Sequence, residues 1–285
     1  MKLNVMITLA AAALLGGLTA CNGKLDKAPR ADQVPENAVR ITASIGNPFS
    51  ATRSMPLGTE EEQGKFNVGD EIFVSTYSSQ RATYRFDGTV WAPKEGEYLL
   101  WKEDMEHFDA YYPAEYGKIP YVHPTDQSST EKIAKADLMY VTLSDQAKTK
   151  EALHFTMKRR TTRLIVEIAG FKSEFPGDAK VEKVRFHNKS NASAPPRTYI
   201  PYAKGEGKTG STYTVLVPWD AAHNTISLEV GGKKMTAKLS EITYGSGKSY
   251  TYRLTVGKEK LETTEVTVSD WTGSAVIPGG EAKAN

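Results

Sequence analysis

Apolar and polar residues alternate with a period of two along most of the chain after residue 38. This pattern is typical of β-strands that bury one face, because successive side chains of a strand point to opposite sides. Clear examples are Val39–Ile45, Leu153–Met157 and Ile226–Val230, and turn signals such as Gly231-Gly232 separate the runs. No long stretch has the period of an amphipathic helix, and the one helix that we predict is short, at Ser128–Ala136.

Many short alternating runs with regular turns are typical of antiparallel β-sandwiches. Two sandwiches explain the number of runs better than one. We therefore predict an all-β protein with two tandem antiparallel β-sandwich domains of transthyretin-like or immunoglobulin-like type, at residues 39–158 and 159–285. The charged segment Lys158–Arg163 marks their boundary, either as a linker or as the solvent-facing side of a strand.

A secretory signal precedes the predicted domains. An early lysine, an apolar run from Val5 to Ala20 and small residues before a cut site describe such a signal. The sequence Leu18-Thr19-Ala20-Cys21 matches the bacterial lipobox, in which the cysteine sulfur receives a diacylglycerol. We predict a signal peptide at residues 1–20 and lipidation of Cys21, because two or three acyl chains anchor a protein firmly.

Two other interpretations of the amino-terminal segment are weaker. A transmembrane helix needs about 18 or more apolar residues, and this run is shorter and is broken by Gly16-Gly17. A plain secretory signal would leave Cys21 as an exposed, unpaired thiol in an oxidising compartment. Because Cys21 is the single cysteine, the mature chain has no disulfide and its folding depends on hydrophobic burial.

The segment at residues 21–38 is predicted to be a flexible tether between lipid and fold. It is polar, contains two prolines and shows no apolar period. The whole chain has 36 Lys and Arg against 34 Asp and Glu, without a basic block. This balance argues against nucleic acid as a partner.

Motifs that resemble enzyme sites are not supported by their context. Gly205–Gly210 matches a dinucleotide-binding pattern, but a strand-like run follows it where a helix is required, so we predict a hairpin loop. The five histidines lack metal-ligand spacing, and no nucleophile elbow is present. Acidic pairs such as Asp104 and Glu106 could supply the two carboxyl groups that a glycosidase uses. Any sequence offers such pairs, so they are weak evidence for this activity. We predict no enzymatic activity, no cofactor and no metal site.

Several large aromatic residues could either fill the cores or stack on sugar rings. They are Trp91, Trp101, Tyr111, Tyr112, Trp219 and Trp271. We favour packing, because large aromatic side chains dominate sandwich cores. Stacking on sugars supports an alternative function, that of a monomeric surface glycan-binding lipoprotein.

Six short segments follow one another in a recognisable order. They are Phe66–Ile72 with Gly-Asp-x-Ile at the start of a strand, Phe108–Pro113 ending in Tyr-Pro, Asp137–Tyr140, Leu153–Phe155, Val217-Pro218 and Val268–Trp271. Together with the lipobox, their order and spacing resemble the fimbrillin family, the lipoprotein-derived pilins of type V pili. The resemblance covers almost the whole mature chain, and it implies the same two tandem sandwiches.

The resemblance also implies a mechanism of assembly. In this family each subunit is exported as a lipoprotein, and an arginine-specific protease then removes the lipid together with an early strand. The vacated groove accepts an extended segment of a neighbouring subunit. On this chain the removable strand is Val39–Ile45. Arg53 is the first candidate for the cut, ahead of Arg40 and Arg30, because it lies among small residues of the kind that proteases attack.

The donor segment and the position in a pilus stay open. Thr263–Val268 and Ala275–Pro278 are the candidate donors, although the tail beyond Trp271 is short and rich in glycine, alanine and lysine. We predict a structural pilus subunit or a pilus-associated adhesin, at the cell outer membrane and in the fimbrium, with a stalk, tip or anchor role. Its predicted partners are other pilin subunits, the outer membrane through the lipid, and a host protein or glycan.

Overall fold

The structure is a computed structural model that describes residues 34–46, 65–189, 195–218, 223–239, 244–257, 261–270 and 273–278, with the backbone alone for residues 223, 261–270 and 273–278. The predicted signal peptide and the residues Cys21, Arg30 and Arg53 lie outside this range. The side chains of Trp219 and Trp271 lie outside it as well.

The all-β prediction is confirmed in the described residues. They form one short α-helix, α1 (Thr130–Ala134), one 3₁₀ turn (Ala114–Gly117) and seventeen strands. No helix among them reaches the length and apolarity that a membrane crossing requires. The strands are β1 (Ile41–Ile45), β2 (Glu71–Thr76), β3 (Arg81–Phe86), β4 (Trp91–Pro93), β5 (Met105–Tyr112), β6 (Met139–Ala147), β7 (Leu153–Arg159), β8 (Thr161–Phe171), β9 (Glu182–Lys189), β10 (Arg197–Tyr199), β11 (Tyr202–Lys204), β12 (Thr212–Pro218), β13 (His223–Val230), β14 (Lys233–Lys238), β15 (Lys248–Val256), β16 (Leu261–Asp270) and β17 (Gly273–Pro278).

The strands of the first half form one seven-stranded sheet in the order β1-β7-β6-β5-β2-β3-β4. β1 runs parallel to β7, and the other neighbours are antiparallel. The chain just before β1 pairs with the segment after β4, so the sheet curls onto itself. The Val39 amide donates to the Leu99 carbonyl at 2.7 Å, and the Trp101 amide donates to the Asn37 carbonyl at 2.8 Å. A single buried cluster of aliphatic and aromatic side chains fills the enclosed space.

The second half contains two sheets that enclose one core. Four strands pair in the order β10-β9-β13-β14, and six pair in the order β11-β12-β8-β15-β16-β17. β8 and β15 are parallel, whereas the other neighbours are antiparallel. The inward residues of both sheets, among them Phe186 of β9 and Tyr252 of β15, belong to one buried cluster.

The glycine-rich segment Gly205–Gly210 lies between β11 and β12, which confirms the predicted hairpin loop. Gly207 has a φ of +82°, and a Cβ there would lie 2.3 Å from the Val181 carbonyl oxygen. Both the left-handed backbone and the close approach of another chain segment therefore require glycine. The glycines serve the turn, and no helix follows them.

The charged segment Lys158–Arg163 is strand rather than linker, and half of its charged side chains are buried. Only one residue separates β7 from β8, and Arg159 and Arg163 are 6% and 4% exposed. Arg159 Nε forms an ion pair with Asp137 Oδ2 at 3.0 Å. Arg163 Nε donates to the Ser249 hydroxyl at 2.8 Å. The prediction that this segment faces solvent was wrong for Arg159 and Arg163. The groups that bond to their buried side chains are distant in sequence, so the sequence pattern did not indicate them.

The connection between β5 and β6, residues 113–138, packs on the second half of the chain. Asp126 forms a parallel bridge with Ile200. The next residue, Gln127, is fully buried. Its Nε2 donates to the Leu216 carbonyl at 2.8 Å, and its Oε1 accepts from the Leu216 amide at 2.7 Å. The side-chain amide of Gln127 thus bonds to both backbone groups of Leu216 in β12, as the backbone of a neighbouring strand would.

The helix α1 belongs to the same connection and confirms the helix predicted at Ser128–Ala136. Ser129 caps it, because its hydroxyl accepts from the Lys132 amide at 3.3 Å. Ile133 of the helix is fully buried and packs with Leu216. The two halves of the chain are therefore joined by a packed contact as well as by the one-residue connection between β7 and β8.

His123 is a second buried polar group of this connection. Its Nε2 lies 3.1 Å from the Ala136 carbonyl oxygen and donates to it, whereas Nδ1 has no hydrogen-bond partner among the described residues. Burial lowers the pKa of His123 to about 4, the bond to Ala136 opposes this shift, and the nearby Arg197 adds to it. The ring is therefore neutral in the folded protein at pH 7.

The Gln127 contact predicts a measurable loss of stability in the variant Gln127→Glu. The carboxylate keeps the shape of the side chain, but it points a second acceptor at the Leu216 carbonyl and buries a charge. We expect the free energy of unfolding to fall by about 2–4 kcal/mol, measured by urea titration of the mature chain. Gln146→Glu is the control, because the side chain of Gln146 is partly exposed and donates to the Ser144 carbonyl on its own strand. Equal losses in the two variants would contradict the contact.

The neutral, buried His123 predicts a dependence of stability on pH. The unfolded chain takes up a proton at this residue as pH falls through about 6.5, whereas the folded chain does so only near 4. The stability that this residue contributes is therefore complete above pH 6.5 and is lost as pH falls towards 4. Between pH 7.5 and pH 4.5 the free energy of unfolding should fall in both chains. We expect this fall to be roughly 2–3 kcal/mol smaller in His123→Phe than in the parent chain. Urea titrations at both pH values measure it, and equal losses would refute the assignment.

Candidate strand-exchange site

β1 is an edge strand that, among the described residues, pairs along one side only, with β7. The register places Ile41 opposite Leu153. Backbone bonds continue beyond both ends of β1, because the Leu153 amide donates to the Arg40 carbonyl at 2.9 Å and the Gly46 amide donates to the Met157 carbonyl at 2.8 Å. The first strand of the fold is thus held by one continuous ladder on one side.

The inward-facing side chains of β1 are buried in the core, and so is the side chain of Val39 just before it. Ile41 is 4% exposed, Ile45 is 7% exposed and Val39 is fully buried, and all three belong to the cluster that contains Phe155. Each buried aliphatic side chain of this size contributes about 1.5–3 kcal/mol. Together they contribute an amount comparable to the whole stability of an ordinary domain, which is about 5–15 kcal/mol. Loss of these side chains would therefore leave the first sheet poorly stable.

The outward face of β1 carries hydroxyl groups that contact one histidine of β7. His154 Nδ1 lies 3.0 Å from the Thr42 hydroxyl, and His154 Nε2 lies 2.9 Å from the Ser44 hydroxyl. Thr42 and Ser44 are two positions apart, so they lie on the same face of the strand. The histidine side chain is exposed and spans both.

Of the predicted cleavage sites, Arg40 is the one within the described residues. Its side chain is exposed, but its carbonyl, which belongs to the bond that a protease would cut, accepts from the Leu153 amide. Cleavage there requires β1 to separate locally from β7 first. This pairing protects the bond after Arg40, while the choice among Arg53, Arg40 and Arg30 and the lipidation of Cys21 stay predictions.

The candidate donor segments Thr263–Val268 and Ala275–Pro278 lie in β16 and β17. β16 pairs with both β15 and β17, whereas β17 pairs with β16 alone among the described residues. Removal of an edge strand breaks one ladder and removal of an interior strand breaks two. Of the two segments, Ala275–Pro278 is therefore released at the lower cost.

The tryptophans within the described residues belong to the core, as predicted. Trp91 and Trp101 are 7% and 3% exposed, and Trp101 contacts Phe108 edge-to-face at 5.3 Å between ring centroids. Tyr112 contacts Phe66 and donates its hydroxyl to Asp70 at 3.1 Å. These rings stabilise the first sheet, and Trp91 and Trp101 are too buried to stack on a sugar.

Tyr111 differs from Trp91, Trp101 and Tyr112, because it lies on the outer face of the first sheet. Its ring meets Tyr116 at 84° and Tyr140 at 45°, with centroids 5.6 and 4.9 Å apart. A sugar-stacking platform needs rings with a shared, open plane. This cluster of tyrosines is tilted and self-packed, which argues against such a platform.

A cavity of about 500 Å³ opens in the second half between the β8–β9 loop and the β13–β14 turn. Phe175, Val230 and Met235 are part of its lining, and Lys180 and Glu182 pair at 3.0 Å beside them. Phe175 is its one aromatic residue. Its lining therefore does not provide the aromatic cleft that the glycan-binding alternative requires.

The acidic pair Asp104 and Glu106 does not have the features of a glycosidase site. Glu106 is buried, and burial alone would raise its pKa, but the Ser78 hydroxyl at 2.6 Å and the His107 amide at 3.1 Å donate to it and lower the pKa on balance. A general acid of a glycosidase needs a raised pKa. No group of three or more potential metal ligands lies together in the part of the chain that the structure describes.

The fold is similar to that of solved proteins from two Bacteroides species. A candidate cell adhesion protein of Bacteroides uniformis is 15% identical, with a TM-score of 0.52, over 82% of this chain and 98% of that chain. A candidate cell adhesion protein of Bacteroides ovatus is 12% identical, with a TM-score of 0.56, over 88% of this chain and 98% of that chain. At such identities the likeness shows a shared fold.

The sequence itself also identifies the family. No curated protein matches the chain. The family model described as Fimbrillin-like matches residues 57–271, which is well over half of the chain. The resemblance inferred from the ordered short segments is thereby confirmed, and the chain belongs to the fimbrillin-like family.

Proposed function

We propose that this protein is a structural subunit of a fimbrium, or an adhesin carried on one, exported as a lipoprotein and assembled by strand addition. Membership of the fimbrillin-like family supports a pilus subunit, a structural rather than catalytic class. The observation that carries the assembly mechanism is the place of β1, which is the first strand of the described fold and an edge strand. In sequence β1 lies between the lipidation site Cys21 and the candidate cleavage site Arg53.

A single cut after Arg53 would detach the lipid and β1 together, because both precede it in the chain. The groove left along β7 would expose more of Leu153, Phe155 and Met157, which pair with β1 and are buried in the intact fold. It would also leave one side of the β7 backbone without hydrogen bonds. Such an edge is a template for a strand of another subunit, which restores both the bonds and the apolar burial.

The domain organisation that we propose is a pair of tandem β-sandwich domains at residues 39–158 and 159–285, after a signal peptide and a tether. Two separate buried clusters, one for each half, support this division. Asn37 and Ala38 already pair with residues 99–101, so the first domain starts a little before residue 39. The packing of residues 113–138 on the second half supports a stiff connection between the domains.

Attachment to the outer membrane follows from the proposed lipidation of Cys21. A protein that keeps its lipid is an anchor, and one that is cut after Arg53 becomes a subunit of the shaft or of the tip. Its partners are then other pilin subunits, the outer membrane and a host protein or glycan. Nucleic acid is no partner, because the chain is nearly neutral and has no basic block.

The pilus role is tested by electron microscopy of cells with and without the gene, labelled with antibody to this chain. We expect label on filaments in the parent cells. Label along their length identifies a shaft subunit, and label at their ends identifies a tip subunit or an anchor. Label spread over the cell body, on cells without filaments, would instead favour the monomeric glycan-binding lipoprotein.

The cleavage step is tested by sequencing the amino terminus of surface-sheared material. We expect the chain to begin at Ser54. A cut after Arg53 removes β1 and does not require the backbone bond between Arg40 and Leu153 to break first. The variant Arg53→Ala should keep its acylated Cys21 and accumulate on the membrane, while Arg81→Ala, at an exposed arginine of β3, serves as the control. Mature material that still begins at Cys21 in the parent strain would overturn the cut for this subunit.

A further inference from the structure

We infer that His154 is a specificity-determining residue for the strand that occupies the edge of the first sheet: it selects a strand with hydroxyl groups at two alternate outward positions. The inference rests on the proposed function, since it names the chemistry by which the β7 edge would recognise a strand. It concerns the outward face of the strand, whereas burial of Ile41 and Ile45 concerns the inward face.

The geometry is a two-point contact from one ring. Thr42 is directly opposite His154 in the parallel register, and Ser44 is two residues further along β1. The two ring nitrogens lie 3.0 and 2.9 Å from the two hydroxyl oxygens. Both distances are those of good hydrogen bonds, and the ring bridges two successive outward positions of the strand.

The chemistry of the groups matches in either tautomer of the ring. A neutral imidazole has one N–H donor and one acceptor nitrogen, and each hydroxyl can donate or accept. Thr42 and Ser44 therefore satisfy both nitrogens whichever of them carries the proton. A strand without one of the hydroxyls leaves a ring nitrogen facing a methyl group or water.

The two-point contact also fixes the register, which the apolar pattern alone does not. A slip by one residue turns the apolar face outward and is excluded by burial. A slip by two residues keeps apolar side chains inward, because Val39, Ile41 and Ala43 follow one another at alternate positions. After such a slip Arg40 takes the place of Thr42 opposite the ring, and one bond is lost.

The occupant that this site recognises is therefore an extended segment of the form apolar, Ser or Thr, apolar, Ser or Thr, apolar. β1, with Ile41-Thr42-Ala43-Ser44-Ile45, has this form. A strand from another subunit that takes the place of β1 must supply the same pair of hydroxyls to be held equally well. Apolar strands without them are discriminated against, although they fill the groove.

The contact itself is tested in the uncut, full-length chain by hydrogen exchange at the amides of Gly46 and Leu153, which form the ends of the β1–β7 ladder. His154→Ala and the double variant Thr42→Val with Ser44→Ala should each speed exchange by about three- to tenfold. The combination of all three changes should add little to either. Lys158→Ala, on the same exposed face of β7, should leave exchange unchanged. Fully additive effects of the two changes would overturn the inference.

The selectivity is tested after the loop between β1 and β2 has been cut with an arginine-specific protease. A labelled peptide of residues 38–46 and the same peptide with Thr42→Val and Ser44→Ala compete for the vacated edge. The parent protein should prefer the first peptide by about three- to tenfold, and His154→Ala should show no preference. Equal binding of both peptides by the parent protein would contradict the proposed selectivity.

The two tests separate this inference from the proposed function. If no peptide replaces β1 in any variant, strand exchange fails, while coupled exchange rates in the uncut chain still establish the contact. If peptides replace β1 but His154 does not affect their selection, strand exchange stands and the inference about His154 fails.

Discussion

The pairing of β1 with β7 is the interaction on which the proposed biology of this chain depends. β1 is bound along one edge, through a single parallel ladder, and its inward side chains complete the core of the first sheet. Parallel pairing is slightly less stable per residue than antiparallel pairing, and removal of β1 with the residues before it breaks one ladder and the short pairing of residues 37–39 with residues 99–101. The same strand is thus necessary for a stable core and separable from the rest of the fold.

The connection between the two halves has the opposite character. β7 runs almost directly into β8, Arg159 is buried against Asp137, and Gln127 bonds both backbone groups of Leu216. A buried polar contact of this kind is costly to break, because the separated groups would lose their partners. The two halves are therefore held together by buried polar contacts as well as by the chain itself.

Much of the fold could be predicted from the sequence. Alternation correctly indicated the strands, the glycines of Gly205–Gly210 indicated a turn, and Ser128–Ala136 indicated a short helix. The burial of Arg163 was missed, because a run of positive charge is ordinarily solvated and its partner Ser249 is 86 residues away. The contact of His154 with Thr42 was also missed, since these residues are 112 positions apart.

What the sequence by itself determined is local: the period of two, the turns, the short helix, and the lipobox with its one cysteine. The first three follow from backbone sterics, and the lipobox, whose lipidation stays a prediction, is a motif of a few neighbouring residues. Only the tertiary structure decided that the strand at Ile41–Ile45 lies at an edge, parallel to β7, with His154 across its hydroxyls. Many strands of this chain alternate in the same way, so their pairing depends on how the whole core closes.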